Sequence, residues 1–164
     1  MCAMLFAYSC STVPVTGRKQ LSLVKNSELL PMSYDSYKSV LKESKLSTNK
    51  EQADLVKRVG ERIQKSVEEY MAQNNWSDQL KGYEWEFNLV DEDIVNAWCM
   101  PGGKVVFYTG IMPICQDETG VAVVMGHEVA HAVANHGAER MSQGLMQQMG
   151  GVALGVALSS KPAE

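Results

Sequence analysis

The sequence predicts an α+β fold, mostly helical, with a small β-sheet or hairpin beside a long central helix. Three patterns carry that prediction. Residues 118–136 contain no proline and set Val121, Val124, Val129, Ala130 and Val133 at helical intervals around His127-Glu128-Val129-Ala130-His131. Residues 83–90 alternate instead, with Tyr83, Trp85, Phe87 and Leu89 on one side and Glu84, Glu86 and Asn88 on the other, the period of a half-buried strand. Residues 96–100, then Pro101-Gly102-Gly103, then residues 104–108 read as strand, tight turn and strand.

The remaining elements follow in order. Residues 11–24 form an extended lead-in broken by Pro14 and Gly17, with a basic Arg18-Lys19 pair. Residues 27 to about 42 space Leu29, Leu30, Tyr34, Tyr37 and Leu41 as a helix, with Pro31 expected in the first turn, where proline is tolerated. Thr48-Asn49-Lys50-Glu51 has the form of a capping box. It opens a helix to about residue 74, whose buried face is Ala53, Val56, Val59, Ile63, Val67 and Tyr70. Asp91-Glu92-Asp93 is a solvated acidic turn, because the glycine and terminal glutamate of a calcium loop are missing. Thr109-Gly110 leads into a short helix through Cys115. Asp117 and Glu118 then sit at the start of the central helix, where its dipole favours negative charge. A last helix is expected from about residue 138 to 158, weakened by Gly144, Gly150, Gly151 and Gly155.

Composition narrows the class. At 164 residues the chain suits one domain with a real core rather than two, and 45% hydrophobic with 21% charged residues is the balance of a folded domain. A net charge of −4 argues against nucleic acid as a partner, since phosphate binding wants a basic surface. Cys2, Cys10, Cys99 and Cys115 form no CxxC pair, so a cysteine zinc site is not expected. Cys99 and Cys115 either pair in an oxidising compartment or serve as small buried apolar residues. The small-residue stretch 150–158 falls short of the roughly 20 apolar residues that cross a bilayer, and suits close packing against a helix, another chain or a membrane. At the N-terminus, Ala7-Tyr8-Ser9-Cys10 resembles a bacterial lipoprotein processing box, although no basic segment precedes it and the apolar run is short. Lipidation of Cys10 would anchor the chain to a membrane without spanning it.

The chemistry is concentrated in the HExxH motif. Two histidines four residues apart on a helix project from nearly one face, so one tetrahedral zinc ion can take both imidazoles. Glu128 lies about 100° further round the helix, placed to hold the attacking water without ligating the metal. The motif thus proposes a metal, bound by His127 and His131, and a reaction, hydrolysis with Glu128 as general base and later proton donor to the leaving amine. The bland alternative pairs two buried histidines with carbonyl groups. It leaves the position of Glu128 between them without a role.

Beyond this motif, Asn96-Ala97-Trp98, Pro101-Gly102-Gly103, Tyr108-Thr109-Gly110 and His127 to Ser142 (HEVAHAVANHGAERMS) resemble the zinc metallopeptidases of family forty-eight. That family includes the CAAX prenyl proteases, the heat-shock membrane proteases and periplasmic proteases tied to outer-membrane assembly. The segment from Cys10 to Gln20 is similar to its lipoprotein members. The resemblance implies a zincin-type domain, one Zn2+ per chain on His127 and His131, and Glu128 as catalytic base. It also implies that the strand after Pro101-Gly102-Gly103 lines the cleft as an edge that pairs with an extended substrate, with Asn96, Ala97, Gly102 and Gly103 as substrate-binding residues. For Asn96 and the glycines, turn geometry alone is the other reading.

The family's third zinc ligand is a glutamate on a later helix, and no matching segment occurs here. On a continuing helix His136 would point about 180° and Glu139 about 120° from His127, so both read as helix-end or surface contacts, with Glu139 and Arg140 as an ion pair. The sequence is therefore expected to comprise a signal- or lipoprotein-like lead-in (1–24) and the N-terminal portion of a metallopeptidase domain (25–164). Its expected function is zinc-dependent endoproteolysis of unfolded or misassembled proteins in a bacterial cell envelope, facing the periplasm. The alternatives are an assembly or chaperone-like protein that keeps the fold without a competent site, and a membrane-associated interaction module using residues 150–158.

Overall fold

The computed structural model describes residues 10–13, 17–24 and 26–159. It is mostly helical with a small mixed sheet, the α+β arrangement expected. A hairpin of β1 (Cys10–Thr12) and β2 (Lys19–Leu21) comes first. Helices α1 (Asn26–Glu43) and α2 (Lys50–Gln73) follow. Strands β3 (Glu86–Val90), β4 (Ala97–Met100) and β5 (Lys104–Tyr108) form a sheet in the order β3-β5-β4. A short helix α3 (Met112–Cys115), then α4 (Glu118–Val133) and α5 (His136–Ser159), complete the fold.

Each sheet face has its own helical cover, because successive strand residues point to opposite sides. Val105 and Phe107 of β5 and Leu89 of β3 join Val56 and Val59 of α2 and Val121, Met125 and Val129 of α4 in the main core. On the other face Val106 and Val90 meet Tyr37 of α1, with Trp98, Met100 and Tyr108 packed around them. Tyr37 and Trp98 meet edge to face, with ring centroids 6.2 Å apart. Buried Lys104 is held on this face too, 3.4 Å from Glu86 and 3.6 Å from Glu84, its ammonium over the Tyr34 ring. The carboxylates and the aromatic face supply the partners that a desolvated ammonium requires.

Several expectations need local correction. The N-cap of α2 is Asn49 rather than Thr48; its side chain accepts from the Gln52 amide at 3.2 Å. Pro31 is the sixth residue of α1, past the first turn, so the carbonyl four residues back receives no N–H from it. β3 begins at Glu86 and not at Tyr83; before it the chain is tied to the turn through Glu84 N–H to Gly102 O, 2.9 Å. The strand after the glycine turn, β5, is the centre of the sheet, parallel to β3 and antiparallel to β4. It has no edge to offer. The edge beside α4 is β4. Cys99 and Cys115 are both free thiols. The processing-box residues before Cys10 lie outside the described residues, as do the side chains of 150–158. Among the described residues no helix is long and apolar enough to cross a membrane.

Candidate metal centre and active site

Helix α4 carries the motif because its start and its buried face are both well specified. The Asp117 carboxylate accepts from the Gly120 amide at 2.9 Å, which caps the first turn. Glu118 reaches across to Arg58 (3.0 Å) and Arg62 of α2. The Arg58 hydrogen bond, and then the charges of both arginines, hold the Glu118 carboxyl below its ordinary range. Val121, Met125 and Val129 are buried, which turns the intervening face, with His127, Glu128 and His131, outward.

On that face the Nε2 atoms of His127 and His131 are 3.0 Å apart. Two imidazole nitrogens on one tetrahedral zinc, each at about 2.0–2.1 Å, lie about 3.3 Å apart. The spacing of the pair thus lies within a few tenths of an ångström of that requirement. Glu128 lies half-buried in a cleft of about 650 Å³ whose walls include Trp98, Cys99, His131 and His136. Burial, and after it the Glu128 charge, push the Cys99 thiol up to about 12. Cys99 is therefore a neutral wall residue of β4 within electrostatic reach of the carboxylate. Among the described residues no group of three ligand-type side chains surrounds one metal position.

The expected unbroken helix through residue 136 is the main error, and it changes the site. α4 stops at Val133, Asn135 takes the left-handed conformation (φ 56°), and α5 starts at His136. Asparagine tolerates that conformation better than most residues, which makes it a recognised helix terminator. The turn folds His136 back, and its Nδ1 lies 2.6 Å from Nδ1 of His131, where a continuing helix would have pointed it about 180° from His127. The His136 ring is held below the ordinary imidazole value, by burial first and then by His131, Arg18 and Arg140. Glu139 pairs with Arg18 of the lead-in, at 2.7 and 2.5 Å, and not with Arg140. That hydrogen bond, more than the attraction of the charges, holds the Glu139 carboxyl below its usual range. The hydroxyl of half-buried Tyr83 donates to Ala132 O at 3.3 Å, anchoring the last turn of α4.

The proposed substrate residues separate. Asn96 is exposed at the start of β4 and its side chain accepts from the Ala97 amide at 2.9 Å, whereas Ala97 is buried against α4. Gly102 (φ 92°) and Gly103 (φ 80°) are buried in the turn; a side chain on Gly102 would strike the Tyr34 ring and one on Gly103 the Trp85 ring. Both glycines are accounted for by backbone conformation and close approach. Sequence reasoning missed Trp98, Cys99, His136, Glu139 and Arg18 as cleft residues. The only local signal for any of them was Asn135.

A helix presenting HExxH to a cleft, flanked by a small sheet with an edge strand at the cleft wall, defines the zincin-type domain. Residues 57–162 match the profile of Peptidase family M48, and the chain belongs to that family. It is 35% identical over 133 residues to the mitochondrial metalloendopeptidase OMA1 of Schizosaccharomyces pombe, covering 79% of this chain and 36% of that protein. It is 29% identical over 156 residues to OMA1 of Saccharomyces cerevisiae, covering 93% and 45%. The beta-barrel assembly-enhancing protease of Escherichia coli is 33% identical over 57 residues, 35% of this chain and 12% of that protein. The chain thus spans less than half the length of these relatives.

Proposed function

We propose that this chain supplies the catalytic helix and the substrate-facing strand of a zinc metalloendopeptidase. The carrying observation is the approach of the His127 and His131 Nε2 atoms to 3.0 Å, with His131 and Glu128 both lining the cleft that Trp98 and Cys99 of β4 wall. His127 and His131 would hold the zinc, which when bound polarises a scissile carbonyl and makes water acidic enough to attack at neutral pH. Glu128 holds that water through its carboxylate, accepts its proton and returns it to the leaving amine. A third protein ligand, expected as a glutamate, completes the usual set for a catalytic zinc.

β4 supports binding of an extended peptide. The outer side of β3 is partly occupied, since Leu46 bridges Val90 and the Ser47 amide donates to Leu89 O at 2.8 Å. Among the described residues no strand pairs with the outer side of β4. Main-chain pairing there fits unfolded or misassembled polypeptides, because it recognises backbone rather than particular side chains. The names of the relatives support a role at a membrane-bounded envelope, with a lipidated Cys10 as the proposed anchor.

The decisive experiment uses the full-length protein and an unfolded substrate such as a denatured casein. Glu128→Gln is expected to abolish cleavage while retaining zinc. Undiminished cleavage by that variant would refute the enzyme reading. Retention of the substrate by the zinc-loaded parent without any cleavage would favour the chaperone-like alternative.

A further inference from the structure

We propose that His136 is a positioning residue that sets the ligating tautomer of His131, and that the N-terminal hairpin is part of the metal centre because it fixes His136 in place. The proposal rests on the metal-centre reading above and deepens it.

The argument starts from hydrogen-bond accounting. At 2.6 Å, the His131 and His136 Nδ1 atoms share one proton, so one donates and the other accepts. Were His131 to accept at Nδ1, its own proton would sit on Nε2, the atom facing His127, and the ring could not ligate there. When His131 donates from Nδ1, its Nε2 lone pair points at the shared position 3.0 Å from the His127 nitrogen. Under this proposal His136 takes the accepting role at Nδ1, with its own proton on Nε2, and that choice leaves His131 in the second arrangement. Metal-binding histidines ordinarily give their outer N–H to a carboxylate, carbonyl or water. In this chain a third imidazole occupies that place.

What holds His136 is not its own helix alone. One helical turn on, Glu139 takes a two-pronged grip from Arg18, at 2.7 and 2.5 Å. The Leu23 amide donates to Ser142 Oγ at 2.9 Å, and that hydroxyl donates to Ala138 O at 2.7 Å. Val24 and Leu29 close a small apolar cluster on Ala138. Three consecutive contacts therefore fasten the hairpin and the segment after it to the first two turns of α5. Arg18, 121 residues away in sequence, acts through Glu139 on the position of the His136 ring.

The test measures zinc affinity of the full chain by competition with a chromophoric chelator, and the His131 tautomer by 15N NMR of the zinc-free protein. His136→Ala is expected to weaken zinc binding about 10- to 100-fold, the usual effect of losing an outer partner. It should also remove the preference for the Nδ1-protonated His131. His136→Gln, whose side-chain oxygen can accept from Nδ1, is expected to recover most of both. Arg18→Ala should weaken zinc binding, and the exchange Arg18→Glu with Glu139→Arg should restore it. If the parent binds zinc, His131→Ala abolishes binding, and His136→Ala binds like the parent, the inference is overturned while the metal centre stands. Gln as weak as Ala at position 136 overturns it too, and an unaltered Arg18→Ala overturns the part assigned to the hairpin. If His127→Ala and His131→Ala leave zinc binding unchanged, the underlying metal-centre reading itself fails.

Discussion

Gly103→Ala separates a turn-forming glycine from a substrate-contacting one. Gly103 has φ 80°, and a Cβ built on it lies 2.6 Å from Trp85 Cε3 and 2.7 Å from Cδ2. A left-handed conformation costs a non-glycine residue about 1–2 kcal/mol. Forcing a methyl into a filled space costs about 1–3 kcal/mol more. The sum, about 2–5 kcal/mol, is a large part of the roughly 5–15 kcal/mol that stabilises a typical domain. At about 2–4 °C per kcal/mol for a chain of this length, the melting temperature should fall by about 4–20 °C. Differential scanning calorimetry on the parent, Gly103→Ala, Trp85→Ala and the double variant measures both contributions. In the Trp85→Ala background the glycine substitution should cost only the conformational part, about 1–2 kcal/mol. Gly144→Ala is the control, since a Cβ there meets nothing within 4 Å and helix propensity favours alanine by about 1 kcal/mol. A Gly103→Ala protein that melts within a degree of the parent refutes the steric argument. If it keeps its melting temperature but loses cleavage of an unfolded substrate, the glycine belongs to the substrate site instead.

Asn135→Gly should leave stability and zinc affinity near the parent's, whereas Asn135→Val, at φ 56°, should lose about 1–2 kcal/mol in urea unfolding and bind zinc more weakly as His136 shifts. Glu118→Gln tests the bridge from α4 to α2. Its carboxyl is held low in the folded chain, so its contribution is present above the ordinary carboxyl range and disappears as pH falls through the lowered value. The melting temperatures of parent and variant should therefore differ near neutral pH and converge in strong acid, and a gap independent of pH would contradict the assignment. Met125→Ala, in the fully buried position beneath the motif, should cost about 2–5 kcal/mol in denaturant titration.

What the sequence disclosed and what it concealed divide along the range of the interactions involved. Helix α4 was legible because five apolar positions at helical spacing and an acidic start act within one short segment, and the β4–β5 hairpin because Pro101-Gly102-Gly103 is itself a turn signal. The His127–His131 pair and Glu128 inherit that clarity, since their relative placement is a property of one helix. The placement of β5 at the sheet centre was not legible, because it depends on parallel pairing with β3 across the intervening strand, a register that no local pattern encodes. Asn135 falls between these cases. A single left-handed residue costs little to overlook as local structure, yet it reverses the chain and turns every angular estimate beyond it into an error. It brings His136 onto His131 and directs Glu139 towards Arg18, a contact across 121 residues of sequence. The motif therefore specifies which side chains share one face of α4. What the His131 ring meets at its Nδ1 depends on a turn that lies outside the motif, and the helix after that turn is tied down by a long-range ion pair.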